Sequence, residues 1–158
     1  MKFGVIGSAH GHILQFIEDM LAMEGEFAGI YNDGSSLVST ISDKYNVPVY
    51  ENMEELFKSN MSIAGTSAVN NQKIDIIEKC GENDVHIIAD KPIIVNEEQY
   101  YRLENVIENG NIEVGMMLTV RFLPEVNTLK KLLDSVEIGQ LLSIEVFNPH
   151  KLRVDERP

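Results

Sequence analysis

Two short segments carry residue types that could do chemistry, and each follows an apolar run. The first segment, from Gly7 to His12, comes directly after Lys2–Ile6. A glycine turn between a buried strand and a helix is the layout that holds the pyrophosphate of a dinucleotide on backbone N–H groups. The second segment delivers Lys91 just beyond residues 85–89, at the strand end where open parallel sheets bind ligands. Together the segments predict a nicotinamide cofactor with a lysine beside the reacting centre.

The glycine turn departs from the usual G-x-G-x-x-G pattern at two of its three key positions. Gly7 keeps the first position, Ala9 adds one methyl group at the second, and His12 occupies the third. The third position normally allows a helix to pack closely on its strand, and the neighbouring Gly11 supplies some of that space. The alternative is a turn that merely connects a strand to a helix. The candidate cofactor-binding residues of this turn are Gly7, Ser8, Ala9, His10, Gly11 and His12.

His10 and His12 also invite a metal interpretation, because alternate histidines can share one face. A protein metal site needs further histidine, cysteine or carboxylate ligands at a suitable spacing. No carboxylate or cysteine nearby in the sequence completes such a set, so we expect no metal. At a helix N-terminus the two imidazoles can instead contact a cofactor phosphate or face solvent.

The residue that meets the ribose of a dinucleotide is usually acidic and lies about 20 positions beyond the turn. Here that position is Asn32, and Asp33 follows it. Asn32 carries no charge that would repel a 2′-phosphate, whereas Asp33 can substitute for the usual acid. Ser35 and Ser36 could donate to a phosphate, but no lysine or arginine is close in the sequence. NAD and NADP both stay open, with NAD favoured, and the alternative is that these are simply turn residues.

Lys91 is flanked by residues that fix its position. Pro92 ends the strand and restricts the backbone, and Asp90 could orient the lysine. A lysine beside a cofactor can bind a substrate hydroxyl or tune proton transfer in alcohol–ketone chemistry. The alternative is a solvated turn lysine without a catalytic role.

The composition excludes several classes of partner. The chain has 158 residues, of which 44% are hydrophobic, and its 13 basic and 25 acidic residues give a net charge of −12. Nucleic acids and anionic membranes both need clustered Lys and Arg, so neither is an expected partner. Cys80 is the single cysteine, which excludes a disulfide within the chain and fits a cytoplasmic compartment. We also expect no signal peptide and no transmembrane segment.

The hydrophobic periodicity predicts strands and helices that alternate up to about residue 120. This alternation is typical of an α/β fold with a Rossmann-like, doubly wound parallel sheet. Beyond that point we expect a helix from Pro124, a turn at residues 137–139 and a strand over residues 141–147. The interpretation is a nucleotide-binding domain over residues 1–120, followed at 121–158 by the incomplete start of a second α+β domain.

Six segments in order resemble the Gfo/Idh/MocA oxidoreductases, the group of glucose–fructose oxidoreductase and inositol dehydrogenase. They are similar to the family's opening strand, its "ekyGvpvy", "s-x-eeLl" and "cEKP" segments, its "vgf-x-x-Rf-x-P" segment and its "geiG" turn. The matching segments are residues 4–7, 43–50, 52–56, 89–92, 114–124 and 137–139.

The resemblance implies a two-domain NAD(P)-dependent dehydrogenase of sugars or polyols, with a second domain that completes the substrate site and the homo-oligomer interface. It makes Lys91 the active-site lysine and places Thr66 and Ser67 near the cofactor, where the family has Thr-Pro. It also assigns Gly7, Ala9 and His12 to the pyrophosphate and Asn32 to the ribose.

The chain departs from the family at several positions. Asp90 replaces a glutamate, Ser67 and Ala68 replace Pro and Asn, and Asn71 stands where a histidine is typical. The aspartate and histidine of the family's second domain have no counterpart before Pro158. We therefore expect this polypeptide alone not to complete a catalytic cycle. The alternatives are a non-catalytic nucleotide-binding or regulatory relative, and a structural domain that binds nothing.

Overall fold

The structure is a computed structural model that describes residues 1–135 and 139–147. Six strands form a single parallel sheet within these residues: β1 (Lys2–Ile6), β2 (Glu26–Tyr31), β3 (Val49–Tyr50), β4 (Ile63–Thr66), β5 (His86–Asp90) and β6 (Val114–Met117). Their order across the sheet is β3-β2-β1-β4-β5-β6, and every neighbouring pair is parallel. The predicted Rossmann-like α/β fold is confirmed.

Helices alternate with these strands: α1 (Ile13–Ala22), α2 (Leu37–Tyr45), α3 (Met53–Phe57), α4 (Lys73–Glu82), α5 (Glu97–Asn109) and α6 (Pro124–Asp134). The periodicity of α1 explains its position, because Ile13, Phe16, Ile17 and Met20 are its buried residues. An apolar stripe at this spacing has to be buried against the sheet.

The helices cover both faces of the sheet, so two apolar clusters enclose it. Successive side chains of a strand point to opposite faces. In β1, Val5 joins the cluster that contains the buried residues of α1 and α2. Ile6 joins the other cluster, with residues of α3, α4 and α5. The central strand is therefore buried from both sides, as expected in a doubly wound sheet.

The strand order predicts a ligand site at the carboxyl ends of the central strands β1 and β4. The chain turns from β1 to β2 on one side and later returns to place β4 on the other side of β1. Ligands of open α/β sheets bind at the carboxyl ends of the strands where the order reverses. Near this point α1 packs closely on β4, because a Cβ atom on Gly65 of β4 would lie 2.3 Å from the Phe16 ring.

Several predicted boundaries differ from those observed. The fourth strand begins at Ile63 instead of residue 61, and the sixth covers Val114–Met117 instead of 112–119. Asn52 caps α3 by accepting a hydrogen bond from the Glu54 N–H at 2.8 Å. Asn96 caps α5 in the same way, through the Gln99 N–H at 2.9 Å.

By its contacts the chain forms two compact units, Met1–Thr119 and Val120–Pro158. The second unit contains α6, which begins at Pro124 as predicted. The predicted strand over residues 141–147 is wrong, because these residues have no regular secondary structure. Their side chains are exposed, and no described strand pairs with them. An isolated segment lacks the ladder hydrogen bonds that make a strand stable, whatever its alternating pattern.

Two sequence predictions lie outside the described residues. The turn expected at 137–139 includes residues 137 and 138, and the polar stretch 148–158 follows the last described residue. Among the helices that are described, none has the length and apolar character needed to cross a lipid bilayer.

Candidate functional site

Gly7 makes the turn from β1 towards α1 possible. Its φ is +93°, and a Cβ atom there would lie 2.6 Å from Ala68 Cβ and 2.9 Å from Thr66 Oγ1. The Gly7 carbonyl accepts a hydrogen bond of 2.9 Å from the Ser67 N–H. The turn is therefore held against the end of β4, and a side chain at this position would strain both its backbone and its packing.

Ser8, the next residue of the turn, is fully buried and bound to the loop after β2. Its backbone N–H donates to a carboxylate oxygen of Asp33, and its hydroxyl lies 2.7 Å from the Ser35 hydroxyl. The Ser35 hydroxyl also donates to the Ser8 carbonyl at 3.1 Å. Asp33 thus stabilises the turn, a role that sequence reasoning missed.

The outer part of the turn is open. Ala9 and Gly11 are exposed, and a Cβ atom on Gly11 would meet nothing within 4 Å. Within the described part of the chain, neither the Ala9 N–H nor the Gly11 N–H donates to a protein acceptor. Two free donors beside the first turn of α1 are suited to an anion, because backbone N–H groups and the helix dipole both favour negative charge.

Asn32, the predicted ribose residue, directs its amide to the carboxylate of Glu51. Asn32 Nδ2 donates to both oxygens of Glu51, at 3.0 and 2.9 Å, and Oδ1 accepts from the Gly34 N–H at 3.1 Å. The carboxylates of Asp33 and Glu51 therefore both lie close to the end of β2. Glu51 is a further candidate for the ribose end of the site that the spacing argument did not include.

Thr66 and Ser67 lie at the end of β4 and are both buried. Thr66 Oγ1 accepts from the Ala68 N–H at 3.2 Å. The Ser67 hydroxyl donates to the His10 carbonyl at 2.7 Å and lies 3.3 Å from the His10 backbone nitrogen, which donates to it. Ser67 therefore holds the backbone of the glycine turn, and Thr66 lies close beside Gly7.

His10, His12 and Asp90 come together between the turn and the end of β5. His12 Nδ1 lies 2.9 Å from Asp90 Oδ1, and His10 Nδ1 lies 3.6 Å from Asp90 Oδ2. The carboxylate of Asp90 is only 5% exposed, against 31% for His12 and 58% for His10. Burial lowers the pKa of His10, and His12 beside it lowers that pKa further. No carboxylate lies near the two histidines in the sequence, but the fold brings Asp90 beside them from 78 positions beyond His12.

Lys91 is exposed at the end of β5, and its backbone N–H donates to Asp90 Oδ1 at 2.8 Å. Asp90 therefore holds the main chain of Lys91 through its side chain. The positive charge of Lys91 contributes to lowering the pKa of both His10 and Lys73.

Lys73 is the functional-site residue that the sequence analysis missed completely. It is 1% exposed, and its ammonium donates to the Pro92 carbonyl at 2.9 Å and to Asn70 Oδ1 at 3.1 Å. The Lys91 carbonyl lies 3.4 Å from the same nitrogen. Burial lowers the pKa of Lys73. Its place in α4 resembles any polar helix start in the sequence, so no local signal marks it as buried.

The structure therefore brings most of the predicted site residues together at the carboxyl ends of the strands. The glycine turn contacts Asp33 on one side and Asp90 on the other. A family model described as an oxidoreductase family with an NAD-binding Rossmann fold, Gfo/Idh/MocA, matches residues 1–116. This chain belongs to that family. The resemblance inferred from the six short segments is confirmed.

Curated relatives are similar to the chain at low identity. Glucose-6-phosphate 3-dehydrogenase of Bacillus subtilis is 25% identical over 150 residues, which are 92% of this chain and 41% of that protein. D-xylose 1-dehydrogenase (NADP(+)) 2 of Haloferax volcanii is 21% identical over 146 residues, which are 91% of this chain and 45% of that protein. The chain thus spans less than half the length of these two relatives.

Solved Gfo/Idh/MocA-type structures share the fold. The WlbA dehydrogenase of Chromobacterium violaceum, in complex with NADH and UDP-GlcNAcA, superposes with a TM-score of 0.74 at 11% identity. The similarity covers 88% of this chain and 41% of that one. At such an identity the likeness extends to the fold alone.

Proposed function

We propose that this chain is the cofactor-binding part of an NAD(P)-dependent dehydrogenase, and that the glycine turn binds the pyrophosphate. The observation that carries the proposal is the turn itself. Gly7 adopts a φ of +93°, and the exposed Ala9 and Gly11 offer N–H groups without protein acceptors among the described residues. Such a turn before a helix suits a doubly charged diphosphate despite the acidic composition of the chain.

We favour NAD over NADP because the ribose end of the site is acidic. Glu51 lies within hydrogen-bond distance of Asn32, and Asp33 lies in the same loop. Residues 32–36 contain no lysine or arginine. A 2′-phosphate would be repelled by these two carboxylates, whereas ribose hydroxyls could donate hydrogen bonds to them.

The substrate would be a sugar or polyol whose secondary alcohol exchanges a hydride with the cofactor. When bound, the nicotinamide ring accepts or supplies that hydride at its C4 atom. Lys91 would bind the substrate oxygen and assist its proton transfer. Buried Asp90 holds the Lys91 backbone at 2.8 Å, and Lys73 holds the following Pro92 carbonyl at 2.9 Å. Together they would keep the catalytic lysine at the sheet edge.

The rest of the enzyme is also part of the proposal. The curated relatives act as dehydrogenases and are more than twice as long as the aligned segment. We therefore propose that a second domain of the full-length enzyme supplies the remaining substrate contacts. We further propose that the enzyme is a homo-oligomer and that it acts in the cytoplasm. The single, buried Cys80 suits such a reducing compartment. A non-catalytic nucleotide-binding relative is the alternative, and it predicts cofactor binding without turnover.

Calorimetric titration of this chain with NAD and with NADP tests the proposal. We expect one site per chain, with NAD bound more tightly than NADP. Glu51→Gln removes one carboxylate from the ribose end and should reduce the preference for NAD several-fold. Glu108→Gln removes an equal charge from the last turn of α5, and should leave the preference unchanged. Failure of both dinucleotides to bind would overturn the proposal, and a stronger affinity for NADP would overturn the choice of NAD.

A further inference from the structure

Two imidazoles and one buried carboxylate face each other at the start of α1. We infer that His10, His12 and Asp90 form a binding site for a divalent transition-metal cation of the zinc type. One ligand atom from each of the three residues can be chosen so that all of these atoms lie within 4.8 Å of one another. The cation would be held by side chains, whereas the proposed pyrophosphate site uses backbone N–H groups of the same glycine turn, so the two proposals are tested with separate ligands.

The distances fit a metal of ordinary bond length. Zinc binds imidazole nitrogen and carboxylate oxygen at about 2.0–2.2 Å, so tetrahedral ligand atoms lie roughly 3.3–3.5 Å apart. His12 Nδ1 lies 2.9 Å from Asp90 Oδ1, and His10 Nδ1 lies 3.6 Å from Asp90 Oδ2, so the two imidazoles approach the carboxylate through different oxygens at separations near that value. The three ligand atoms already lie within 4.8 Å of one another, and rotation about the side-chain torsions would bring them to these separations.

The fold holds the ligands firmly on one side and leaves the other side open. Asp90 is the last residue of β5 and is only 3% exposed, so its carboxylate is fixed by the sheet. The His10 backbone is tied to the Ser67 hydroxyl through both its N–H and its carbonyl. His10 itself is exposed, and water or a small ligand can complete the coordination from solvent. Three protein ligands with an open position are typical of reactive metal sites.

The donor set indicates which cation binds. Imidazole nitrogen suits zinc, copper, nickel and iron, whereas magnesium and calcium prefer sites made of oxygen. Lys73 and Lys91 interact electrostatically with this cluster and oppose any added positive charge. A cation held only by charge, such as magnesium, would therefore not bind, and the nitrogen–metal bonds must supply the affinity.

Titration of the metal-free chain with ZnCl₂, followed by calorimetry, tests the inference without a dinucleotide. We expect one zinc ion per chain and no heat with MgCl₂. His12→Ala and Asp90→Asn should each weaken zinc binding at least tenfold. His86→Gln is the matched control, because His86 lies at the opposite end of β5 and bonds the Glu113 N–H. It should leave zinc affinity unchanged.

A second test uses Co²⁺ and the variant His10→Ala, in case a variant of a buried residue does not fold. His10→Ala changes an exposed side chain and should fold normally, as circular dichroism can check. Bound Co²⁺ should give visible d–d absorption in the wild type, which His10→Ala reduces and His86→Gln preserves. Absence of stoichiometric zinc binding, or zinc binding by His10→Ala and His12→Ala as tight as that of the wild type, would overturn the site. The NAD titration is carried out on the wild type without zinc, so failure of this inference is distinguishable from failure of the proposed function.

Discussion

The carboxylate of Asp33 accepts a hydrogen bond from the backbone N–H of Ser8, although the two residues are 25 positions apart. Asp33 also accepts from the Ser35 N–H at 2.9 Å, so one side chain links the turn after β1 to the loop after β2. An acid at this point of a dinucleotide fold is expected to serve the ribose. Here it also holds the glycine turn, so the two ends of the proposed cofactor site depend on each other.

Asp33→Ala should destabilise the protein by about 1–3 kcal/mol, because buried Ser8 loses an acceptor for its backbone N–H. Urea denaturation of the wild type and the variant gives this difference in the free energy of unfolding. Asp43→Ala removes an exposed carboxylate from α2 and should change stability by less than about 0.5 kcal/mol. Equal stabilities of the two variants would contradict the structural role of Asp33.

Gly7→Ala should cost more stability than Gly34→Ala, although both glycines have positive φ angles of +93° and +77°. The left-handed backbone alone costs an alanine about 1–2 kcal/mol. At Gly34 a Cβ atom meets nothing within 4 Å, whereas at Gly7 it meets Ala68 Cβ at 2.6 Å. The difference between the two variants in thermal or urea unfolding therefore measures the close packing of the turn.

The same pair separates stability from binding. Gly7→Ala displaces the turn and should abolish NAD binding in calorimetry, at a temperature where the variant is still folded. Gly34→Ala should retain binding within a few-fold. Unchanged affinity in a folded Gly7→Ala protein would mean that the turn does not bind the pyrophosphate.

Lys73→Met should change how stability depends on pH. Burial lowers the pKa of Lys73 below its ordinary value of 10.5, so the unfolded chain holds this proton at pH values where the folded chain has released it. Stability rises with pH wherever the unfolded state binds more protons. The wild type should therefore gain stability relative to Lys73→Met as the pH increases towards 10.5.

Urea unfolding at several pH values up to 10.5 measures this gain. Lys58→Met removes an exposed lysine and should track the wild type at every pH. A stability difference between wild type and Lys73→Met that stays constant over this range would show that Lys73 titrates normally in the folded protein.

Cys80 should be unreactive in the native protein. Burial raises the pKa of its thiol to about 12, and this residue of α4 is fully buried in an apolar cluster with residues of the sheet and α5. At pH 8 the folded thiol is protonated, and only the thiolate attacks a disulfide reagent. Labelling with Ellman's reagent should be complete in urea and slow in buffer, at the rate at which the domain opens. Rapid labelling in buffer would contradict the packing around α4.

The sequence predicts best what depends on local periodicity. The spacing of Ile13, Phe16, Ile17 and Met20 predicts α1, because a 3.6-residue period is unambiguous over ten residues. The alternation of strands and helices then leads to a parallel sheet, since parallel neighbours need crossover connections. Gly7 was also placed correctly at the turn, because its neighbours form a strand and a helix.

What escaped prediction depends on contacts between distant segments. Asp90 lies beside His12 only because β5 and β1 are separated by a single strand, β4. Lys73 is buried because the end of β5 covers the start of α4, and nothing in its own helix indicates that. The strand predicted over residues 141–147 was wrong because its alternating pattern is local, whereas a strand also needs a neighbouring strand to pair with.

The position of β1 at the centre of the sheet determines how the domain can assemble during translation. β2 joins one side of β1, β3 joins β2, and β4, β5 and β6 then add in turn on the other side. Each new strand adds to an outer strand of the sheet that is already formed. No later strand has to insert between two strands that are already paired. The free side of β1 stays uncovered until β4, at Ile63–Thr66, has emerged. During that interval the backbone N–H and C=O groups on this side of β1 have no partner strand, and an unpaired strand edge is prone to pair with another chain.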